Sequence, residues 1–180
     1  MSPEPKIYRT HRATWLERLV KKGNWRHGVE IGVYKGITFK YLIERCPQLH
    51  LTGVDVFYDD REWLNWDKQS SEKLKETTPV PWYNDLMKFC DKFKPRAKLI
   101  RDFSNKAHVH FKNESLDFIF IDAGHRYKDV AEDIDLWEPK VKVDGFIAGH
   151  DIDVPDVKQA VVERNPFFMT SSDNIWWWMK

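Results

Sequence analysis

A short apolar strand leads into a glycine turn at residues 29–36, Val29-Glu30-Ile31-Gly32-Val33-Tyr34-Lys35-Gly36. Apolar residues at helical spacing follow from Ile37 to Cys46, and a second apolar strand, Leu49 to Val54, closes on Asp55. A strand, a glycine turn, a helix and a strand in this order form a βαβ unit, which requires a parallel sheet with a right-handed crossover. The stretch therefore predicts an α/β fold.

The same alternation of strands and helices continues along the chain. Strands are predicted at 97–100, 116–121 and 146–149, the last after a turn at Asp144-Gly145. Helices are predicted at 11–22, 82–93, 130–137 and 157–163, and Ser104 is predicted to cap a further helix towards Phe111. Two final strands, at 167–170 and 175–179, are predicted to pair as a hairpin. The pattern amounts to five strand–helix units, a last helix and a terminal strand pair, which indicates a doubly wound, Rossmann-like sheet with helices on both faces.

Length and composition exclude several classes of protein. A chain of 180 residues, 42% hydrophobic and 14% aromatic, is predicted to form one folded domain around one core. Its 29 basic and 28 acidic side chains provide no general charge for binding nucleic acid or an anionic membrane. No apolar run approaches the roughly 20 residues of a membrane helix, and the first residues lack the hydrophobic stretch of a secretory signal. Two cysteines are too few for a disulfide framework, so a soluble, cytoplasmic protein is predicted.

Within this single domain, 1–180, two segments stand apart from the strand–helix pattern. Residues 1–26 are predicted to form an N-terminal arm and a helix. Residues 57–82 are polar and charged, carry Trp63 and Trp66, and interrupt the alternation after the second strand. This segment is predicted to be an insertion or a lid over a ligand.

Acidic residues stand at the carboxyl end of nearly every predicted strand. They are Glu30, Asp55, Asp102, Asp122 and Asp151. Ligands of open doubly wound sheets bind outside the carboxyl ends of the strands, whereas core packing does not require carboxylates there. The sequence therefore predicts a ligand site at this edge.

The glycine turn differs from the two best-known nucleotide loops. Gly32 allows a sharp backbone turn, and Gly36 allows the next helix to begin close to a ligand. Their spacing matches neither the dinucleotide pattern G-x-G-x-x-G nor the P-loop. Glu30 would repel a phosphate and suits a cationic or hydrogen-bond-donating group. Taken alone, the glycines also fit an ordinary tight turn.

The next two strand ends suggest a nucleoside. Asp55 stands where a carboxylate accepts hydrogen bonds from ribose hydroxyls. Phe57 is predicted to offer its ring to a purine. Asp102 and Phe103 repeat the combination of a polar and an aromatic residue at the end of the third strand.

The pattern E-x-G-x-x-x-G, followed by a strand ending in Asp, resembles the class I S-adenosylmethionine-dependent methyltransferases from about Gly28 to the C-terminus. The resemblance implies a seven-stranded, mostly parallel sheet whose last strand is antiparallel. It also implies S-adenosyl-L-methionine as cofactor, with Glu30 and Gly32 near its methionine part, Asp55 on the ribose and residues 102–103 by the adenine. The full predicted cofactor-binding set is Glu30, Gly32, Tyr34, Gly36, Asp55, Phe57, Asp102, Phe103 and Asp122.

A second group of residues follows the fourth and fifth strands, in the stretches 121–127 and 149–151. The pattern comprises Asp122, His125, Asp133, Trp137, Pro139, Gly145, His150 and Asp151. It resembles the sugar O-methyltransferases related to macrocin O-methyltransferase, which implies methyl transfer to a hydroxyl of a sugar or glycosylated compound. The strand of that family often ends in two acidic metal-binding residues, and this chain has His150-Asp151 instead. The identity of a metal, and its presence, stay open.

The predicted chemistry combines a metal and a base. Asp122 and Asp151 should end adjacent strands about 4.8 Å apart, where they would share an ion such as Mg²⁺, Ca²⁺ or Mn²⁺. His150 as third ligand would favour a transition metal. His125 is predicted as the general base, facing the acceptor hydroxyl from the side opposite the metal, because histidine ordinarily titrates near the working pH. The catalytic set is thus His125 and Asp122, although a helix-capping His125 and a structural His150 remain alternatives.

Other functions on the same fold remain open. They include a non-catalytic S-adenosylmethionine-binding partner subunit and another transferase, such as an aminopropyl transferase. A nicotinamide dehydrogenase is disfavoured by the glycine spacing. Methylation of nucleic-acid amines is disfavoured because the fourth strand is followed by Asp-Ala-Gly-His rather than Asn/Asp-Pro-Pro-aromatic. The short chain has little room for a separate substrate domain, which leaves open a homo-oligomer whose second copy completes the pocket.

Overall fold

The computed structural model describes residues 10–58 and 79–180. The predicted N-terminal arm and most of the predicted lid, including Trp63 and Trp66, lie outside the described residues. The strands are β1 (His27–Ile31), β2 (His50–Asp55), β3 (Ala97–Arg101), β4 (Leu116–Ile121), β5 (Val141–Gly149), β6 (Met169–Ser171) and β7 (Ile175–Met179). The α-helices are α1 (His11–Lys22), α2 (Ile37–Arg45), α3 (Pro81–Lys92), α4 (Ser104–Ala107), α5 (Tyr127–Trp137) and α6 (Pro155–Arg164).

The strands form one seven-stranded sheet in the order β3-β2-β1-β4-β5-β7-β6. Strands β1 to β5 are parallel to one another, and β7 runs antiparallel to both β5 and β6. This confirms the predicted doubly wound, mostly parallel sheet with an antiparallel last strand. The strand order reverses between β1 and β4, which is where this architecture opens a ligand crevice.

The sheet is buried on both faces because its central strands are mostly apolar, and β4 is apolar at each position from Phe118 to Ile121. Phe118 and Phe120 of β4 pack with α1, α2 and α3, whereas Ile119 and Ile121 pack with α5 and α6. Successive side chains of a strand point to opposite faces, so one run of apolar residues supplies both layers of the core. The prediction of helices on both faces is confirmed.

Local sequence signals account for several helix starts. The side chain of Thr10 accepts a hydrogen bond from the backbone N–H of Ala13 and caps α1. Pro81 and Pro155 occupy the first positions of α3 and α6, where a missing N–H costs nothing. None of the described helices is long and apolar enough to cross a membrane.

Two elements differ from the predictions. β5 begins at Val141 rather than at Phe146, because an irregularity in its pairing with β4 keeps the predicted turn at Asp144-Gly145 inside the strand. The helix predicted from Ser104 towards Phe111 is only α4, followed by a single 3₁₀ turn at His108–His110.

Candidate active site

A cleft of about 800 Å³ opens at the carboxyl ends of the parallel strands. The acidic strand-end residues Glu30, Asp55, Asp102, Asp122 and Asp151 all line it. The structure therefore brings together the carboxylates that the sequence places at separate strand ends. Their meeting point is the crevice where the strand order reverses.

Gly32 makes the floor of this cleft possible. Its φ is +86°, and a Cβ at this position would lie 2.1 Å from the carbonyl oxygen of Asp122. The turn after β1 thus packs against the backbone after β4 at a distance that only glycine permits. Gly36 also has a positive φ, but it does not line the cleft, because its Cα faces the side chain of Leu86. Gly36 packs at the start of α2, and its place in the cofactor-binding set stays a prediction.

Asp55 fixes the shape of the glycine turn. Its Oδ2 accepts hydrogen bonds from the backbone N–H groups of Val33 and Tyr34, both at 2.8 Å. Its Oδ1 accepts one from Phe57 at 2.7 Å. Burial raises the pKa of Asp55, while these N–H groups oppose the rise. The backbone N–H of Val56 also lowers the pKa of Asp55, so four N–H groups already use about the four acceptor positions that a carboxylate offers, and the ribose role of Asp55 stays a prediction.

The two aromatic residues predicted near the adenine differ in their positions. Phe103 lines the cleft, and its backbone N–H donates to Oδ1 of Asp102 at 2.8 Å. Phe57 is only 1% exposed and packs in the core against Tyr83, with ring centroids 4.7 Å apart. The expectation that Phe57 offers its ring to a purine is corrected, because its φ of +48° belongs to a turn that leaves the ring in the core.

Glu30 carries an unmet hydrogen-bonding capacity at the floor of the cleft. The residue is 3% exposed, and its Oε2 has no hydrogen-bond partner within residues 10–58 and 79–180. Burial, reinforced by the nearby charge of Asp122, raises the pKa of Glu30 well above its usual range. A buried polar atom without a partner costs free energy that a ligand with a donor would recover. Glu30 therefore fits a cationic ligand group.

Asp122, His125 and Asp151 form a compact cluster. Each offers one potential metal-ligating atom, and these atoms lie within 4.8 Å of one another. The His125 Nε2 atom is 2.9 Å from Oδ2 of Asp151. Burial raises the pKa of Asp122, and the charges of Arg12 and His150 oppose this rise. The cluster combines hard oxygen ligands with one imidazole.

His150 lies beside this cluster and supports Asp151. Its Nδ1 is 2.9 Å from Oδ1 of Asp151 and 3.8 Å from Oδ1 of Asp122. Its backbone carbonyl accepts a hydrogen bond from the buried indole of Trp176 at 3.0 Å. Among the described residues, His125 rather than His150 completes the potential ligand set with Asp122 and Asp151. His125 was predicted to face the acceptor from the side opposite the metal. In the structure it lies with Asp122 and Asp151, on the same side as a metal bound by these residues would be.

Sequence reasoning missed Arg12, which reaches the cleft from α1. Its Nε lies 3.5 Å from Oδ2 of Asp122 and 3.4 Å from Oγ1 of Thr38. Arg12 and His150 are 138 residues apart in sequence and 3.4 Å apart between Nη1 and Nε2. One arginine on an amphipathic helix gives no sequence signal of this contact.

Asp133 of α5 was predicted only as part of a family pattern, and the structure places it in the wall of the cleft. It is 3% exposed, and its carboxylate accepts a hydrogen bond from the hydroxyl of Ser104. Burial raises the pKa of Asp133 to about 7. Ser104, predicted as a helix cap, makes no capping hydrogen bond and contacts Asp133 instead.

The raised pKa of Asp133 predicts a dependence of stability on pH. In an unfolded chain an aspartate titrates near about 3.9, so between pH 4 and 7 the folded protein holds a proton that the unfolded chain has released. This contribution to stability is present at low pH and is lost as the pH rises to about 7. Between pH 5 and 8 it lowers the free energy of unfolding by about 2–3 kcal/mol.

Asp133→Asn is expected to remove this contribution while keeping an acceptor for Ser104. Urea denaturation at pH 5 and pH 8 measures how much the free energy of unfolding changes with pH in the parent and in the variant. The contributions of the other buried carboxyl groups are the same in both proteins and cancel in the comparison. A variant whose stability changes with pH as steeply as that of the parent would contradict the assignment.

A family model described as a methyltransferase domain matches residues 29–152. No curated protein matches the chain in sequence. CalS11, a TDP-rhamnose 3′-O-methyltransferase of calicheamicin biosynthesis, has a similar structure, with a TM-score of 0.67 and 11% identity over 95% of this chain and 81% of its own.

Two further structures share the fold. A Staphylococcus aureus protein assigned as a caffeoyl-CoA O-methyltransferase gives a TM-score of 0.64 at 13% identity, over 94% of this chain and 82% of its own. The O-methyltransferase NovP gives 0.63 at 15% identity, over 94% of this chain and 79% of its own. At these identities the likeness establishes a common fold.

Proposed function

The chain belongs to the methyltransferase domain family whose model matches residues 29–152, and on that basis we propose that it transfers a methyl group from S-adenosyl-L-methionine to a hydroxyl of a small molecule, namely a sugar or glycosylated compound. The observation that carries the proposal is a single cleft lined both by Glu30, whose Oε2 has no partner in the described part of the chain, and by the His125–Asp151 pair. The first suits a cationic cofactor, and the second suits proton removal from a hydroxyl.

The residues at the strand ends fit the cofactor. Glu30 would accept hydrogen bonds from the cofactor's ammonium group. Asp55 lines the same cleft and would accept a hydrogen bond from a ribose hydroxyl. Asp102 and Phe103 would bind the adenine. When bound, S-adenosyl-L-methionine supplies an electrophilic methyl group on a sulfonium.

His125 is proposed as the general base for the acceptor hydroxyl. Its Nε2 lies 2.9 Å from Oδ2 of Asp151, so in the tautomer with the proton on Nε2 the lone pair of Nδ1 would receive the hydroxyl proton. Asp151 then stabilises the imidazolium and holds the ring in place, as a carboxylate does in the catalytic triads of hydrolases. The His125 side chain is 54% exposed, so an acceptor can reach it.

The cluster of Asp122, His125 and Asp151 also supports a second mechanism, assistance by a divalent cation. These three residues would hold the ion, with His150 orienting Asp151 from behind. The ion would stabilise the alkoxide form of the acceptor. In that case His125 serves as a ligand rather than as the base.

Dialysis against a chelator separates the two mechanisms. With His125 as base, turnover is expected to stay within about twofold of the untreated protein, since general-base catalysis needs no ion. With metal assistance, turnover falls at least ~10²-fold and returns on addition of Mg²⁺ or Mn²⁺. In the second case Asp122→Asn is expected to abolish the response to added metal.

Transfer of tritium from methyl-labelled S-adenosyl-L-methionine to a panel of nucleotide sugars and glycosides tests the reaction itself. We expect label in a hydroxyl of at least one acceptor, with release of S-adenosylhomocysteine. Saturable cofactor binding without transfer to any acceptor would contradict the enzymatic assignment and favour a non-catalytic partner subunit.

A further inference from the structure

We propose that Arg12 binds the carboxylate at the amino-acid end of S-adenosyl-L-methionine, so that Arg12 and Glu30 together recognise a zwitterion. This inference rests on the proposed function and adds to it a residue outside the glycine turn. It makes α1, which precedes the first strand, part of the cofactor site.

The position of Arg12 is fixed by the main chain of α1. Its backbone N–H donates to Oδ2 of Asp173 at 3.0 Å, in the turn between β6 and β7. The two ends of the described chain are thereby joined beside the cleft. The side chain of Arg12 lines the cleft and keeps 29% of its surface exposed.

The residues that the structure describes do not saturate the guanidinium of Arg12. Its three side-chain contacts, to Asp122, Thr38 and His150, measure 3.5, 3.4 and 3.4 Å, at the long end for hydrogen bonds. Its Nη2 makes no hydrogen bond to any residue in 10–58 or 79–180. A guanidinium forms its strongest contacts as a fork that holds a carboxylate with two parallel N–H groups. The structure thus leaves donors available for an anionic ligand group.

Arg12 and Glu30 act on the same region of the cleft. The positive charge of Arg12 opposes the rise in the pKa of Glu30, so the two groups interact electrostatically. Both residues line the cleft, Arg12 with unused donors and Glu30 with a buried Oε2 that has no partner among the described residues, and this combination matches a ligand that carries both signs of charge. An α-amino-acid group, with its ammonium and carboxylate, has this chemistry.

Ligands of a single charge fit less well. Glu30, Asp55 and Asp122 around the same cleft would repel a phosphate. A lone cation would satisfy Glu30 but would be repelled by Arg12. An anionic acceptor is the remaining occupant for Arg12, and it predicts a different outcome in the experiment below.

The experiment compares two ligands by titration calorimetry. S-Adenosylhomocysteine carries the amino-acid end, whereas 5′-methylthioadenosine has the same nucleoside and sulfur without it. Arg12→Gln is expected to weaken S-adenosylhomocysteine binding ~10- to 100-fold, because a charge-assisted contact is lost. Binding of 5′-methylthioadenosine should change by less than ~2-fold.

Matched variants complete the design. Arg18→Gln removes an exposed arginine from the same helix and should change neither affinity. Arg12→Lys keeps the charge without the fork and should fall between the parent and Arg12→Gln. It also serves as the test variant if Arg12→Gln does not fold.

The outcomes separate the inference from the function on which it rests. In one outcome the parent binds both ligands, and the Arg12 variants keep the parent's ratio of affinity for S-adenosylhomocysteine to affinity for 5′-methylthioadenosine. This result overturns the contact between Arg12 and the cofactor carboxylate, and it is the result expected if Arg12 binds an anionic acceptor instead. If the parent binds neither ligand, the proposed function fails and the inference falls with it. Selective loss of S-adenosylhomocysteine binding supports both.

Discussion

His125→Ala is expected to lower kcat for methyl transfer about 10²- to 10⁴-fold and to leave the affinity for S-adenosylhomocysteine unchanged. The substitution removes the proposed proton acceptor, whose Nε2 lies 2.9 Å from Asp151. It does not touch Glu30 or Asp55, which are proposed to bind the cofactor. Single-turnover rates with saturating acceptor measure the first effect, and calorimetry measures the second.

A histidine outside the cleft provides the control. His110→Ala removes an exposed imidazole and should leave kcat unchanged. Added imidazole is expected to restore part of the turnover of His125→Ala if the residue acts as a base. An unimpaired His125→Ala enzyme would rule out both proposed roles of this residue.

Gly32→Ala is expected to destabilise the protein by about 3–5 kcal/mol and to abolish cofactor binding. A Cβ here would lie 2.1 Å from the carbonyl oxygen and 2.5 Å from the carbonyl carbon of Asp122. Both atoms belong to the backbone and cannot turn aside as the end of a side chain can. The φ of +86° adds strain that any L-residue would bear. Chemical denaturation and titration with S-adenosylhomocysteine measure the two effects.

Gly124→Ala is the matched substitution in the same cleft. Its Cβ would lie 2.8 Å from the carboxylate and 3.0 Å from the Cβ of Asp129, so the nearest atoms belong to a side chain and not to the backbone. We expect a cost below about 1 kcal/mol. A Gly32→Ala protein as stable as Gly124→Ala would show that the turn tolerates a side chain, contrary to its packing against Asp122.

The topology was predictable because the apolar pattern is strong where the sheet is central. The run from Leu116 to Ile121 is apolar on both faces, which fits only a strand covered on both sides. The joint position of the acidic residues followed from the same pattern, since parallel strands end at one edge. Glu30, Asp122 and Asp151 could therefore be placed in one cleft from the sequence.

Contacts that depend on the path of the backbone after a strand could not be predicted. Phe57 has a φ of +48° and its ring is in the core, although the spacing places it beside Asp55. Asp151 has a φ of +62°, and its carboxylate contacts both His125 and His150. Arg12 comes from a different helix altogether, so no local pattern connects it to Asp122.

Titration of the protein with S-adenosylhomocysteine examines the cofactor assignment without the need for an acceptor. We expect saturable binding of one molecule per chain, weakened at least ~10-fold by Glu30→Gln through the loss of a charged acceptor. Because burial raises the pKa of Glu30 well above its usual range, the affinity should also fall as the pH is lowered, since the protonated carboxyl cannot pair with an ammonium. Absence of binding at millimolar ligand, or equal binding by the parent and Glu30→Gln, would contradict the assignment of this cleft to S-adenosyl-L-methionine.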